Sequence, residues 1–161
     1  MIAVDTNVLV YASRTDSPHN AAAFNAMAAL VAGDEPWAIP WPCVHEYLAV
    51  LTNGRLFPDP TPSSVALDQV DEFARAGASF LGERSGHLRR LRDAVEGMNA
   101  TGARIHDAKI AAICVAHGVR ELWTLDRDFA NVPGLRTRNP LEDLPNEEGP
   151  SRTGDGPSSP E

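Results

Sequence analysis

The chain has 161 residues, is 43% hydrophobic and carries a formal net charge of −8. This length and apolar content predict one compact domain with its own core. No apolar run approaches the roughly 18 residues of a membrane span, and the acidic balance argues against a strongly basic, non-specific nucleic-acid binder.

The first half of the chain alternates short apolar runs with helical patterns. Residues 2–4 predict a buried strand that ends at Asp5, and residues 8–12 continue apolar. Ser17-Pro18 predicts the start of a helix that runs to Gly33. Residues 37–39 predict a second strand, and Pro42 opens a helix that ends near residues 53–54.

The second half continues this alternation after a proline-rich loop at residues 57–62. It predicts helices over residues 63–77, 87–98 and 106–117 and strands over residues 79–81, 121–125 and 135–137. Strands that alternate with helices predict an α/β fold with a parallel sheet covered on both faces.

The carboxyl-terminal residues differ in composition from the rest. Residues 142–161 hold six acids and one base, leaving −3 for residues 1–141, so the acidic total does not exclude an RNA partner. Proline, glycine and serine dominate this tail, which predicts a disordered segment outside a domain of residues 1–141.

The cysteines and the amino terminus indicate the compartment. Cys43 and Cys114 have no metal-ligand spacing and are predicted to be reduced core thiols. The first residues lack the basic start and apolar stretch of a signal peptide, which predicts a cytoplasmic protein with no membrane association.

Four acids lie where functional groups of an α/β protein gather. Asp5 and Asp126 follow predicted strands, and Glu46 and Asp107 lie near the starts of predicted helices. Because functional groups collect at the carboxyl ends of the strands, we expect these four side chains to converge. Taken singly, each acid has a simpler interpretation as a turn residue or as a partner of a helix dipole.

Four converging carboxylates cannot all remain ionised without cations. Oxygen ligands select Mg²⁺ or Mn²⁺ over Zn²⁺. Such ions lower the pKa of a bound water and neutralise a phosphodiester in the transition state. The four acids therefore predict a metal site for phosphodiester chemistry.

Four short motifs, in this order, resemble those of PIN-domain ribonucleases. They are Asp5-Thr6-Asn7-Val8-Leu9, Glu46 in its helix, Ile105-His106-Asp107-Ala108-Lys109-Ile110-Ala111-Ala112 and Leu122-Trp123-Thr124-Leu125-Asp126-Arg127-Asp128-Phe129. The resemblance covers residues 1–140, and the length and motif order are most similar to VapC toxins of type II toxin–antitoxin modules.

This resemblance implies a PIN-like three-layer α/β/α sandwich with a central, mainly parallel sheet. It implies a Mg²⁺- or Mn²⁺-dependent endoribonuclease in which Asp5, Glu46, Asp107 and Asp126 are the catalytic and metal-binding acids. It also implies a cognate small antitoxin protein and a homodimer. The alternative is a catalytically silent PIN module that binds RNA or an antitoxin.

Four further residues are candidates to support the metal. Thr6 and Asn7 match the usual neighbours of the first acid, and Asn7 either orients Asp5 or caps the following turn. Thr124 either hydrogen-bonds a metal-bound water or is an ordinary strand threonine, and Asp128 is a fifth acid that we rank below Asp126.

The basic residues have weaker assignments. Arg84, Arg89, Arg90 and Arg92 either contact RNA phosphates or, as we slightly favour, form a solvated helix face paired with neighbouring acids. Lys109, His45 and His106 are predicted to point away from the acids, because successive helical residues are turned by about 100°.

Two other aspartate-dependent classes fit less well. A phosphotransferase of the haloacid-dehalogenase type requires a second acid where this chain has Asn7. A receiver domain requires its phosphoacceptor at the end of a middle strand, a position that the sequence does not predict for Asp5.

Overall fold

The computed structural model of the chain describes residues 1–129 and 132–142. The strands are β1 (Ile2–Val4), β2 (Trp37–Pro40), β3 (Ser79–Leu81), β4 (Glu121–Trp123) and β5 (Arg136–Arg138). The helices are α1 (Thr6–Ser13), α2 (Asn20–Ala32), α3 (Trp41–Leu51), α4 (Ser63–Arg75), α5 (His87–Met98) and α6 (Arg104–Ala116), with a 3-10 helix at Arg127–Phe129.

All five strands run parallel in one sheet, in the order β3-β2-β1-β4-β5. Strand β1 is central, and its Ile2 lies opposite Trp37 on β2 and Glu121 on β4. All residues of β1, β2 and β4 are buried, as expected when helices cover both faces of a parallel sheet. The predicted three-layer α/β/α sandwich is confirmed, and its parallel strands end together at one edge.

The first helix was not predicted as such, because the sequence showed only that residues 8–12 are apolar. Asp5 caps α1 by accepting a hydrogen bond of 2.8 Å from the Thr6 amide. Helix α2 begins at Asn20 rather than at Ser17-Pro18. The Asn20 side chain donates to the carbonyl oxygens of Tyr11 and Ala12. This contact ties the start of α2 to α1 and displaces the expected helix start.

Three other boundaries also differ. Helix α3 ends at Leu51, slightly earlier than predicted, and α6 begins at Arg104 rather than His106. Strand β4 ends at Trp123 rather than Leu125, because the Leu125 amide donates a hydrogen bond of 3.2 Å to Oδ1 of Asn7 and not to a neighbouring strand. The predicted end of α6 is confirmed, since Gly118, just after the helix, has a left-handed φ of +67°.

The core lies between the sheet and the helices and includes both cysteines. Cys43 and Cys114 are buried free thiols, which confirms the prediction. Burial raises the pKa of both thiols, so they remain protonated. In the described ranges no helix is both long and apolar enough to cross a bilayer. Beyond Glu142, the predicted acidic tail lies outside the described residues.

Candidate metal centre

Asp5 lies at the carboxyl end of the central strand, and both of its carboxylate oxygens accept hydrogen bonds. Oδ1 accepts from the Thr6 amide at 2.8 Å and contacts Sγ of Cys43 at 3.5 Å. Oδ2 accepts from the Thr124 hydroxyl at 2.6 Å and from the Asn7 side-chain amide at 2.9 Å. Burial raises the pKa of Asp5, and the bonds from Thr124 and Thr6 oppose that rise. The surrounding donors thus hold this buried carboxylate in one orientation.

Thr124 and Asn7 join the ends of β1 and β4. Besides donating to Asp5, the Thr124 oxygen accepts from Asn7 Nδ2 at 3.1 Å and from the Asp126 amide at 3.0 Å. These three bonds use the one donor and two acceptor positions of a hydroxyl. Asn7 therefore orients Asp5, one of its two predicted roles, and Thr124 contacts Asp5 directly.

Glu46 reaches the same edge from α3, which starts directly after β2. Its Oε2 accepts a hydrogen bond of 2.8 Å from the Thr6 hydroxyl. Thr6 therefore contacts two of the predicted acids, with its amide on Asp5 and its hydroxyl on Glu46. The match of Thr6 to the family motif thus corresponds to a physical link between the two carboxylates.

Three aspartates form the tightest acidic group. One carboxylate oxygen from each of Asp107, Asp126 and Asp128 lies within 4.8 Å of those of the other two. The Asp128 amide donates a hydrogen bond of 2.8 Å to Oδ1 of Asp126, in the turn that begins the 3-10 helix. The structure therefore places Asp128, the lower-ranked acid, beside Asp107 and Asp126.

The charges of this group act on Asp107. Its pKa is raised to about 6, first by burial and then by the charges of Asp126, Asp5, Asp128 and Glu46. A bound cation removes that repulsion, which is the electrostatic requirement of a metal site. The oxygen-only ligands and the mutual repulsion both fit Mg²⁺ or Mn²⁺.

The four predicted acids line one cavity of about 330 Å³, which we call the acidic cavity. Thr6 and Asn7 line it as well, and its remaining walls are mostly apolar. These walls are formed by Val10, Tyr11, Val50 and Phe57. The convergence expected from the sequence therefore occurs at the carboxyl edge of the sheet.

A second cavity, of about 610 Å³, adjoins the first and shares Glu46 and Asp107 with it. We call it the adjoining cavity. Its polar lining includes His45, Arg104, His106, Lys109 and Asp128. The prediction that Lys109, His45 and His106 point away from the acids agrees with their absence from the acidic cavity. That these three residues share a second cavity was not predicted.

The arginine cluster, which lies on α5 and in the segment before it, lines neither of these cavities. Arg90 donates to the Ser85 carbonyl oxygen at 2.8 Å, and Arg84 donates to that of Ala116 at 3.3 Å. These contacts hold two of the arginines against their own domain. The role of the cluster stays a prediction.

The PIN domain family matches residues 2–135, so the chain belongs to that family. The chain is 35% identical over 145 residues to ribonuclease VapC43 of Mycobacterium tuberculosis, covering 88% of this chain and 97% of the relative. Ribonuclease VapC48 of the same organism is 30% identical over 138 residues, which is 85% of this chain and 95% of the relative.

A solved structure supports the fold. In the crystal structure of VapBC2 from Rickettsia felis bound to a promoter DNA fragment, one chain matches with a TM-score of 0.62 and 19% identity. The match covers 86% of this chain and 98% of that chain. The sequence argument against a receiver domain was wrong, because Asp5 does follow the middle strand of the sheet. The match to the PIN domain family is what excludes a receiver domain.

Proposed function

We propose that this chain is a metal-dependent endoribonuclease that hydrolyses RNA phosphodiester bonds and acts as the toxin of a type II toxin–antitoxin pair. The observation that carries the proposal is the convergence of Asp5, Glu46, Asp107 and Asp126 on one cavity at the carboxyl edge of the sheet. The relatives named as VapC ribonucleases, matched over most of their length, support the same reaction.

The four acids, with Asp128 beside them, are the residues that would hold Mg²⁺ or Mn²⁺. When bound there, such an ion supplies positive charge to the phosphodiester and lowers the pKa of an attacking water. Asp5 contributes a carboxylate whose orientation is set by Thr124, Asn7 and the Thr6 amide. Thr6 also holds Glu46, so the protein fixes these two ligands before any ion binds.

We further propose a cognate small antitoxin as the partner of this chain, self-association into a homodimer and action in the cytoplasm. Solved relatives include toxin–antitoxin complexes, which supports the antitoxin. An antitoxin arginine placed in the acidic cavity is the simplest means of inhibition, because its planar guanidinium pairs with a carboxylate through two hydrogen bonds. Antitoxin and metal should then compete for the cavity.

The experiment that tests the reaction is cleavage of an end-labelled RNA with Mg²⁺, with Mn²⁺ and with excess EDTA. We expect cleavage only with metal, and none by Asp126→Asn purified in the same way. Asp68→Asn is the matched control, since Asp68 is an exposed acid of α4 outside the acidic cavity. RNA that is bound but never cut would favour the catalytically silent module instead.

A further inference from the structure

We propose that the adjoining cavity binds a nucleotide next to the cleaved bond of single-stranded RNA. In this assignment Lys109 and Arg104 bind its phosphate, and Trp41 stacks on its base. The proposal rests on the proposed function for its substrate and adds the path that the substrate takes. Glu46 and Asp107 line both cavities, so a strand held in the second presents its phosphodiester to the first.

Lys109 provides an unpaired positive charge in this cavity. It is partly buried on α6, and no described residue forms a hydrogen bond or ion pair with it. An ammonium group has three donors and no acceptor, so its partly buried position favours a ligand that brings acceptor oxygens. Phosphate oxygens meet this need and carry the opposite charge.

Arg104, the first residue of α6, provides the second cation and lies next to Asp128 in space. Its Nε lies 3.3 Å from Oδ2 of Asp128, and its Nη2 donates a hydrogen bond of 3.2 Å to the Asp128 carbonyl oxygen. No described residue accepts a hydrogen bond from its Nη1, so donors remain for a ligand. The ion pair holds the guanidinium between the acids and the adjoining cavity.

A part-exposed aromatic ring lies next to His45, a residue that lines the adjoining cavity. The Trp41 side chain is 43% exposed, and its ring lies 5.1 Å from that of Phe80 in a stacked arrangement. The Trp41 ring also lies 5.8 Å from His45, which lines the cavity one turn further along α3. A part-exposed indole held against His45, on a cavity that also carries Lys109 and Arg104, provides the aromatic surface and the cations with which proteins bind single-stranded nucleic acid.

The first measurement is the salt dependence of RNA affinity. A fluorescein-labelled 12-nucleotide RNA of mixed sequence is titrated with Asp126→Asn protein and Mg²⁺, and the anisotropy is followed at several salt concentrations. In this background Lys109→Gln should reduce the slope of log affinity against log salt by about 0.7, the value for one phosphate contact on a single strand. Lys109→Arg should restore the slope.

Arg120→Gln is the charge-matched control. Arg120 precedes β4 at the opposite edge of the sheet and pairs with Glu35 at 3.3 Å. The slope should not change in this variant. Trp41→Leu, which keeps an apolar contact for Phe80, should weaken binding about five-fold or more without changing the slope. Thermal melting of each variant verifies that it is folded.

A second readout uses the fact that Lys109 is the only lysine of the chain. A lysine-directed acylating reagent followed by peptide mass analysis reports on this side chain alone, and bound RNA should protect it. Equal slopes for Lys109→Gln and Arg120→Gln, or full acylation in the RNA complex, overturn the subsite. Failure of the unaltered chain to cut RNA removes the nuclease function but leaves these binding results interpretable. RNA binding that is unchanged by both Lys109→Gln and Trp41→Leu would also overturn the subsite.

Discussion

The hydroxyl of Thr124 donates a hydrogen bond of 2.6 Å to Oδ2 of Asp5, although the two residues are 119 positions apart. The pairing of β1 with β4 brings them together, since Val4 lies opposite Trp123 and each is followed directly by one of the two residues. The central carboxylate of the candidate site is thus oriented by the neighbouring strand.

Thr124→Val should therefore impair both folding and the site. The substitution leaves a buried carboxylate oxygen short of a donor, which we expect to lower the free energy of unfolding by about 1–3 kcal/mol. It should also weaken metal binding, because Asp5 loses part of its orientation. Urea unfolding and Mn²⁺ titration measure the two effects. Thr124→Ser, which keeps the hydroxyl, is the control, and an equal loss in both variants would assign the effect to packing.

Asparagine substitutions should distinguish the buried acid from the crowded ones. Asp107→Asn should raise the melting temperature of the metal-free protein, because it removes a charge that four other carboxylates repel. Asp5→Asn should lower the melting temperature. Both oxygens of Asp5 accept hydrogen bonds, and the NH₂ group of an asparagine would replace one of these acceptors with a donor that faces other donors. Melting both variants in EDTA tests this, and stabilisation by Asp5→Asn would contradict the hydrogen-bond assignment.

The raised pKa of Asp107 also predicts a pH dependence. Its folded value of about 6 lies above the ordinary 3.8, so the folded state holds this proton more tightly. The associated stability is present at pH below about 4 and is lost as the pH rises through 6. In EDTA, the melting temperature of Asp107→Asn should therefore change less between about pH 4 and 6 than that of the unaltered protein. A variant with the same pH dependence as the unaltered protein would show that Asp107 does not titrate in this range.

The sequence predicted the parallel α/β sheet and the four converging acids for a definite physical reason. Short apolar runs that alternate with helical patterns predict buried strands, and an acid that directly follows such a strand lies at the carboxyl edge. The apolar run at residues 8–12 is instead part of α1. Asp5 and Asp126 were assigned in this way. Glu46 and Asp107 were assigned from their positions near the starts of predicted helices, and the resemblance to PIN-domain ribonucleases matches all four acids.

The sequence did not predict that Asp128 would lie beside Asp107 and Asp126. The predicted strand extends to Leu125, whereas β4 ends at Trp123. The turn that brings Asp126 and Asp128 within 4.8 Å of Asp107 was therefore not predicted. The hydrogen bond from Thr124 to Asp5 could not be predicted either, because it depends on which strands are neighbours in the sheet. Lys109 was predicted to point away from the acids, and the sequence did not indicate the adjoining cavity that it lines.

The most direct test of the account is a Mn²⁺ titration of the metal-free protein in which ion binding, by electron paramagnetic resonance, and RNA cleavage are measured on the same samples. We predict that bound Mn²⁺ and cleavage rate rise over the same concentration range. Asp126→Asn should lose both, and the exposed-acid control Asp68→Asn should keep both. Full cleavage in excess EDTA, or undiminished Mn²⁺ binding by Asp126→Asn, would contradict a metal-dependent nuclease centred on these carboxylates.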